Sequence, residues 1–195
     1  DVLKYLWVQL DQNIYEKDNN TAKIATGSVR DSMPTRMVAS TYGAYDFDGG
    51  HKIKSVKDAA GKTIPFTINK TMMRLDLPQP LAPGQKTSIA IEWTFNISDR
   101  VKNISLNDGR SGMEYFPEDG NYLYIIGQWF PRMCVYDDVV GWQNKQLLGQ
   151  GEFTLSFGNY EVNLTVPADH IVAGTGMVKN LKEVLTANQY ARFEK

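Results

Sequence analysis

Cysteine, histidine and net charge are all scarce in this chain. Of its 195 residues, one is cysteine (Cys134) and two are histidine (His51 and His170). A single cysteine excludes an internal disulfide. Two histidines so far apart exclude a zinc site of the H-E-x-x-H type. Neither a Gly-x-Ser-x-Gly nucleophile elbow nor a Gly-x-x-x-x-Gly-Lys-Ser/Thr phosphate loop occurs. The 21 basic and 22 acidic residues leave a net charge of −1, which argues against a nucleic-acid or anionic-membrane surface. No apolar run reaches the ~18 residues needed to cross a bilayer. Asp1–Asp11 has neither the basic start nor the small-residue cleavage site of a secretory signal. Convincing helical periodicity is almost missing as well.

What remains is a pattern of short strands. Hydrophobic content is 42% and charged content 22%, ordinary for a soluble globular protein. A compact chain of this size buries about 70% of its unfolded surface. Residues 4–13 alternate, with Leu6, Val8 and Leu10 on one face and Tyr5, Trp7, Gln9 and Asp11 on the other. Glu16–Thr35 reads as a long polar loop with a helical turn at most. Ile53–Val56 and Ile64–Ile68 read as a strand pair around the turn at Asp58–Gly61. Met73, Leu75 and Leu77 alternate before Pro78, Pro80, Pro83 and Gly84 break the chain. Ile89, Ile91, Trp93, Phe95 and Ile97 follow at period two, the clearest half-buried strand. Ser98–Gly112 reads as a loop and Tyr122–Ile126 as a strand. Phe153, Leu155 and Phe157, then Gly158-Asn159, then Tyr160, Val162, Leu164 and Val166 predict a hairpin with a two-residue turn. Ile171–Ala173 and Gly176–Val178 suggest one more strand or pair. Thr186–Glu194 alone reads as helix, with Thr186 as its cap. Together these predict one all-β domain over 1–195, a β-sandwich with a short C-terminal helical tail.

The densest mixture of aromatic, charged and polar residues is Gly127–Asp138. Pro131 restricts Phe130 to extended geometry, so Trp129 and Phe130 form a firm platform. Gln128 offers both an amide and a carbonyl oxygen. Arg132 is expected to pair with Asp137, with Asp138 or with a partner carboxylate. Cys134, between Met133 and Val135, reads as inert packing. Glu114, Glu118, Asp119, Gly120 and Asn121 read as a solvated turn rather than a calcium site. The Asn-x-Ser/Thr triplets at Asn19, Asn69, Asn96, Asn103 and Asn163 carry meaning only in a secreted eukaryotic protein. A sugar-binding sandwich using Trp129, Phe130 and Trp142 as stacking platforms stands as an alternative.

Four stretches carry a resemblance: Tyr5–Asn13, Leu75–Gly84, Gly127–Trp142 and Gly151–Gly176. In this order they resemble the amino-terminal β domain of zinc metallopeptidases of the aminopeptidase N type, in a bacterial subgroup. The resemblance implies a saddle-shaped β-sandwich of antiparallel sheets that covers a separate thermolysin-like catalytic domain. It implies that zinc and its H-E-x-x-H helix belong to that other domain, leaving this chain with no metal site or catalytic residue of its own. It further implies a chain cut at both ends, whose partners are that catalytic domain and a peptide substrate. In the family, a Gln or Glu of this domain holds the substrate's α-amino group. Gln128 is the candidate, with a residue of Asn121–Gly127 as the alternative; Trp129, Phe130 and Arg132 complete the expected substrate-binding set. The compartment stays open between a bacterial periplasm or cell envelope and the cytoplasm.

Overall fold

The structure, a computed structural model, describes residues 2–24, 31–35, 38, 47–102, 111–149 and 154–194. Among the described residues the strands in chain order are β1 (Leu3–Gln9), β2 (Lys52–Asp58), β3 (Phe66–Asn69), β4 (Met72–Leu81), β5 (Ile89–Thr94), β6 (Ser111–Phe116), β7 (Asn121–Ile126), β8 (Arg132–Met133), β9 (Tyr136–Asp137) and β10 (Gly141–Trp142). The described fold is mostly β with antiparallel sheets. One sheet has the order β3-β4-β1-β8, and β2-β5, β6-β7 and β9-β10 form two-stranded ribbons. The chain divides into two compact units, Asp1–Phe157 and Gly158–Lys195.

Strand β1 lies at the centre of the first unit. Leu6 and Val8 face Leu75 and Met73 of β4, and Leu10 continues the same apolar face. Val56 of β2 and the following Ile64 join them in one buried cluster, with Ile53, Ile89 and Ile91 of the β2-β5 ribbon packed against it. The four-stranded sheet and the ribbon thus share a core. Each fully buried side chain of this kind contributes roughly 1.5–3 kcal/mol. Strand β5 alternates half-buried Ile89, Ile91 and Trp93 with exposed Ala90, Glu92 and Thr94, as its period-two pattern predicts.

Pairing differs from expectation in three places. The turn at Asp58–Gly61 forms, its Asp58 carboxylate accepting from the Ala60 and Lys62 amides. Only Ile64 and Thr63 return beside β2, however. The chain then crosses, so that β3 pairs with β4 through the turn at Lys70 and β2 pairs with β5. Second, β4 runs through Pro78 and Pro80 to Leu81. Its register with β1 shifts between Leu3 and Tyr5, where an irregular pairing needs fewer amide donors. Third, the expected loop 98–112, whose residues 103–110 lie outside the described ones, has given way by Ser111 to β6, which pairs with β7 along its whole length around an acidic turn closed by Gly120 at φ 72°.

Among the described residues the strands of the hairpin expected over 153–166 are absent: 154–157 hold only an isolated bridge and 158–166 no strand. Neither Gly158 nor Asn159 takes the positive φ that a two-residue hairpin turn requires. Leu155 instead makes a single bridge to Cys134, and Phe157 is fully exposed. Phe153 lies outside the described residues, as does Asn103. In the second unit, residues 158–180 contain no strand, including the expected 171–173 and 176–178. The unit ends in short helices. Its α2 spans Leu181–Val184 and its α3 spans Ala187–Phe193, following α1 (Thr21–Ile24) of the first unit. Thr186 caps α3 in a reciprocal capping box with Gln189, fulfilling its expected role.

Leu75→Ala empties a fully buried position and is expected to lower unfolding stability by about 2–5 kcal/mol. Phe157→Ala should change it by less than about 0.5 kcal/mol. Urea titrations of both variants check this; a large loss at Phe157 would mean that the expected hairpin exists after all.

Candidate functional site

Strand β1 does not end in solvent. Alternation predicts Gln9 and Asp11 on an outer face, yet both are buried, and Gln12 and Asn13 are buried beyond them. After Leu10 the chain tightens into a single 3-10 turn, Asp11–Tyr15, which turns these polar side chains inward. Burying polar groups is unfavourable unless each finds a partner, and here each does.

Asp11 is 1% exposed and is held by Arg132. Both Nε and Nη2 of Arg132 reach Asp11 Oδ2, at 2.7 and 2.5 Å, while Gln9 Nε2 donates to Oδ1. Arg132 stands opposite Gln9 in the β1-β8 pairing, so the ion pair and the strand register enforce one another. This corrects the expected pairing of Arg132 with Asp137 or Asp138. The Asp137 carboxylate instead closes the β9-β10 turn, accepting from the Val139 and Val140 amides and from Gln143 Nε2. The Val140 amide, followed by Gln143, holds the Asp137 carboxyl below the usual carboxylate range. Asn13 ties the β3-β4 turn to the start of β2, donating to Lys70 O at 2.9 Å and accepting from the His51 amide at 2.8 Å.

These groups converge on residues 127–130. Gln12 Nε2 donates to Gly127 O at 2.8 Å and to Gln128 O at 3.3 Å, and Ser111 Oγ also donates to Gly127 O. Trp129 O accepts from Trp93 Nε1 at 3.0 Å and from His51 Nε2 at 3.2 Å. Three successive carbonyls are thus captured from the 3-10 turn, β6, β5 and the residue before β2. Gln128 sits at φ 51°, a left-handed conformation unfavourable for a side chain with a Cβ. Gln128 is half-buried as a residue, and its carboxamide makes no hydrogen bond among the described residues. Trp129 stacks on Trp93 with centroids 6.2 Å apart and meets Phe130 edge-on at 4.9 Å.

The expected site residues therefore separate. Gln128, Trp129 and Phe130 lie together on the clamped segment. Arg132 lies just beyond it but spends its guanidinium on Asp11. Trp142 packs against the core cluster and edge-on to Tyr136, 5.3 Å between centroids. Cys134 is buried, and desolvation, with Asp11 adding and Arg132 opposing, pushes its thiol up to about 12. His51, Gln12 and Ser111 are part of the site but were not legible as such. The one available signal was the polar run Asp11-Gln12-Asn13 directly after a half-buried strand, without Gly or Pro to turn it outward. Among the described residues, no group of three or more His, Cys, Asp or Glu is placed to hold a metal ion. No described helix is long and apolar enough to cross a membrane.

Comparison with protein-family models, curated proteins and solved structures returns no match.

Removing one partner of a buried ion pair strands the other charge, so Asp11→Ala is expected to lower stability by about 3–5 kcal/mol. Urea unfolding measures it, and a loss under about 1 kcal/mol would show Arg132 to be solvated in the native protein. The Cys134 thiol should resist iodoacetamide at pH 8 in the folded chain and react once urea unfolds it. Mass spectrometry of the alkylated protein reads both states.

Proposed function

We propose that this chain is a non-catalytic β domain of a zinc metallopeptidase of the aminopeptidase N type, and that Gln128 receives the α-amino group of a peptide substrate. The observation that carries this reading is the contrast at residues 127–130. Every backbone carbonyl from Gly127 to Trp129 is captured by the protein's own donors, while the Gln128 carboxamide has no partner among the described residues. A side chain held in a left-handed conformation on so fixed a backbone is preorganised for a ligand.

The chemistry suits an ammonium group. A carboxamide oxygen accepts from N–H donors without adding charge, and a hydrogen bond to a charged partner contributes about 1.5–3 kcal/mol. Trp129 and Phe130 then serve as the apolar wall that keeps water from the contact, and Arg132 as the anchor that positions the segment through Asp11. Zinc, the reacting water and the general base belong to the catalytic domain of the parent protein, the partner this domain would cover. The resemblance of Tyr5–Asn13, Leu75–Gly84, Gly127–Trp142 and Gly151–Gly176 to that family supports the same reading.

In the parent protein, Gln128→Ala is expected to raise KM for substrates with a free α-amine by about 10- to 100-fold, the equivalent of one charged hydrogen bond. Substrates with a blocked amine should be unaffected. Steady-state kinetics on matched free and N-acetylated peptides separates the cases, and equal effects on both would remove Gln128 from amine recognition.

A further inference from the structure

His51 is a buried titratable group that the proposed function leaves unused. It is 3% exposed, and its two ring nitrogens are treated differently. A carbonyl oxygen only accepts, so Nε2 carries the proton and donates to Trp129 O. Nδ1 is buried and has no hydrogen-bond partner. The ring packs against Phe95, 5.7 Å between centroids. The neutral imidazole fits this setting, because the Nδ1 that lacks a partner among the described residues then carries no proton.

A second proton has nowhere to go. On Nδ1 it would create a buried N–H and a buried charge together. Asp11, the carboxylate whose charge reaches the ring, is already committed. Asp11, from the 3-10 turn, gives Oδ2 to Arg132 and Oδ1 to Gln9. Lys52, next along the chain, pairs with Asp48 at 2.7 Å. Glu16, whose side chain lies against Gly50, is pushed up by its own burial and then by Asp18. Asp11 cannot turn to an imidazolium without abandoning Arg132 or Gln9, Lys52 is itself a cation, and burial disfavours the charged form of Glu16.

We infer that His51 is a pH-sensitive latch on the Gln128–Phe130 segment. Neutral, it pins the Trp129 carbonyl; protonated, the ring leaves for water and surrenders that hydrogen bond. Trp93 Nε1 is then the single remaining donor to this carbonyl among those the segment uses. Burial lowers the His51 pKa, opposed by the Trp129 hydrogen bond and by Asp11. The sign follows from this direction. Above the ordinary histidine value of 6.5 the latch is fully set. As pH falls below it, the unfolded chain takes up the proton first, and the stabilisation declines until the folded ring itself protonates. The latch stands on the geometry of His51 and holds whatever ligand Gln128 meets.

The test is an NMR titration of the full 195-residue chain from pH 7.5 to 4.5, following the imidazole C–H signals and the indole N–H signals of its four tryptophans. A His170→Gln variant assigns the His51 signal. The expected result is that the His51 ring and the Trp93 indole N–H change together, at one midpoint below 6.5, before the indoles of Trp7 and Trp142 move. In His51→Gln, which keeps a side-chain amide donor but cannot titrate, the Trp93 signal should stay flat through that midpoint. Three results overturn the inference: a Trp93 signal that ignores His51 titration, one that still titrates in His51→Gln, or four indoles that move at a single midpoint through acid unfolding. If His51→Gln does not fold, the comparison of Trp93 with Trp7 and Trp142 in the unmodified chain still decides.

Discussion

A carboxylate without water must have a cation, and the need of Asp11 for Arg132 organises much of the first unit. Asp11 is buried because β1 runs on past Leu10 and tightens into the 3-10 turn instead of leaving the core. Its charge draws in Arg132, whose strand β8 pairs with β1 over only two residues, Val8↔Met133 and Gln9↔Arg132. So short a pairing specifies register weakly by itself. The ion pair supplies the missing specificity, since a slip of one residue would turn Arg132 to the opposite face and leave Asp11 unpaired.

Once β8 is in place, the residues before it have little freedom. Pro131 fixes one backbone dihedral, and the carbonyls of Gly127, Gln128 and Trp129 are taken by donors from separate elements. This explains how a segment without regular secondary structure keeps Gln128 at φ 51°. A left-handed residue with a Cβ persists only where its surroundings over-determine it. Here Gln12 alone contacts two consecutive carbonyls, so relaxing Gln128 would take its carbonyl away from the Gln12 amide.

Local pattern reveals faces but not partners, and that divides what was legible from what was not. Leu6, Val8 and Leu10 could be assigned to the core because period two needs no knowledge of the neighbouring strand. The same holds for Ile89, Ile91 and Trp93, and the Thr186 cap is local by nature. Whether residues 66–69 pair with β2 or with β4 is a question of competing apolar surfaces. A good turn at Asp58–Gly61 therefore suggested the wrong neighbour. The alternating run from Leu155 to Val166 had the right period but lacks the turn geometry at Gly158-Asn159 that would bring its halves together. Arg132 illustrates the same limit for charge: Asp137 and Asp138 are near in sequence, but Asp137 is satisfied within its own turn, and the unsatisfied carboxylate lay 121 residues away. Gln128, Trp129 and Phe130 stood out by composition. The groups that hold them, Gln12, His51 and Ser111, did not, because a side chain that serves a distant carbonyl leaves no local periodic trace.

The charges at this end of the unit are arranged so that they cancel. Asp11 and Arg132 neutralise one another beside the segment, Lys52 and Asp48 pair next to His51, and the Gln128 carboxamide is neutral. An ammonium ligand meeting Gln128 would find an acceptor with no fixed cation left unopposed, provided that His51 carries no proton. Until the ring left for water, an imidazolium would add an uncompensated positive charge one residue along, through the Trp129 carbonyl that it contacts. It would also loosen the backbone that presents the carboxamide. The two effects have the same sign for a cationic ligand. A neutral His51 thus links the electrostatics of the proposed amine contact to its geometry, and the burial that keeps the ring neutral acts on both at once.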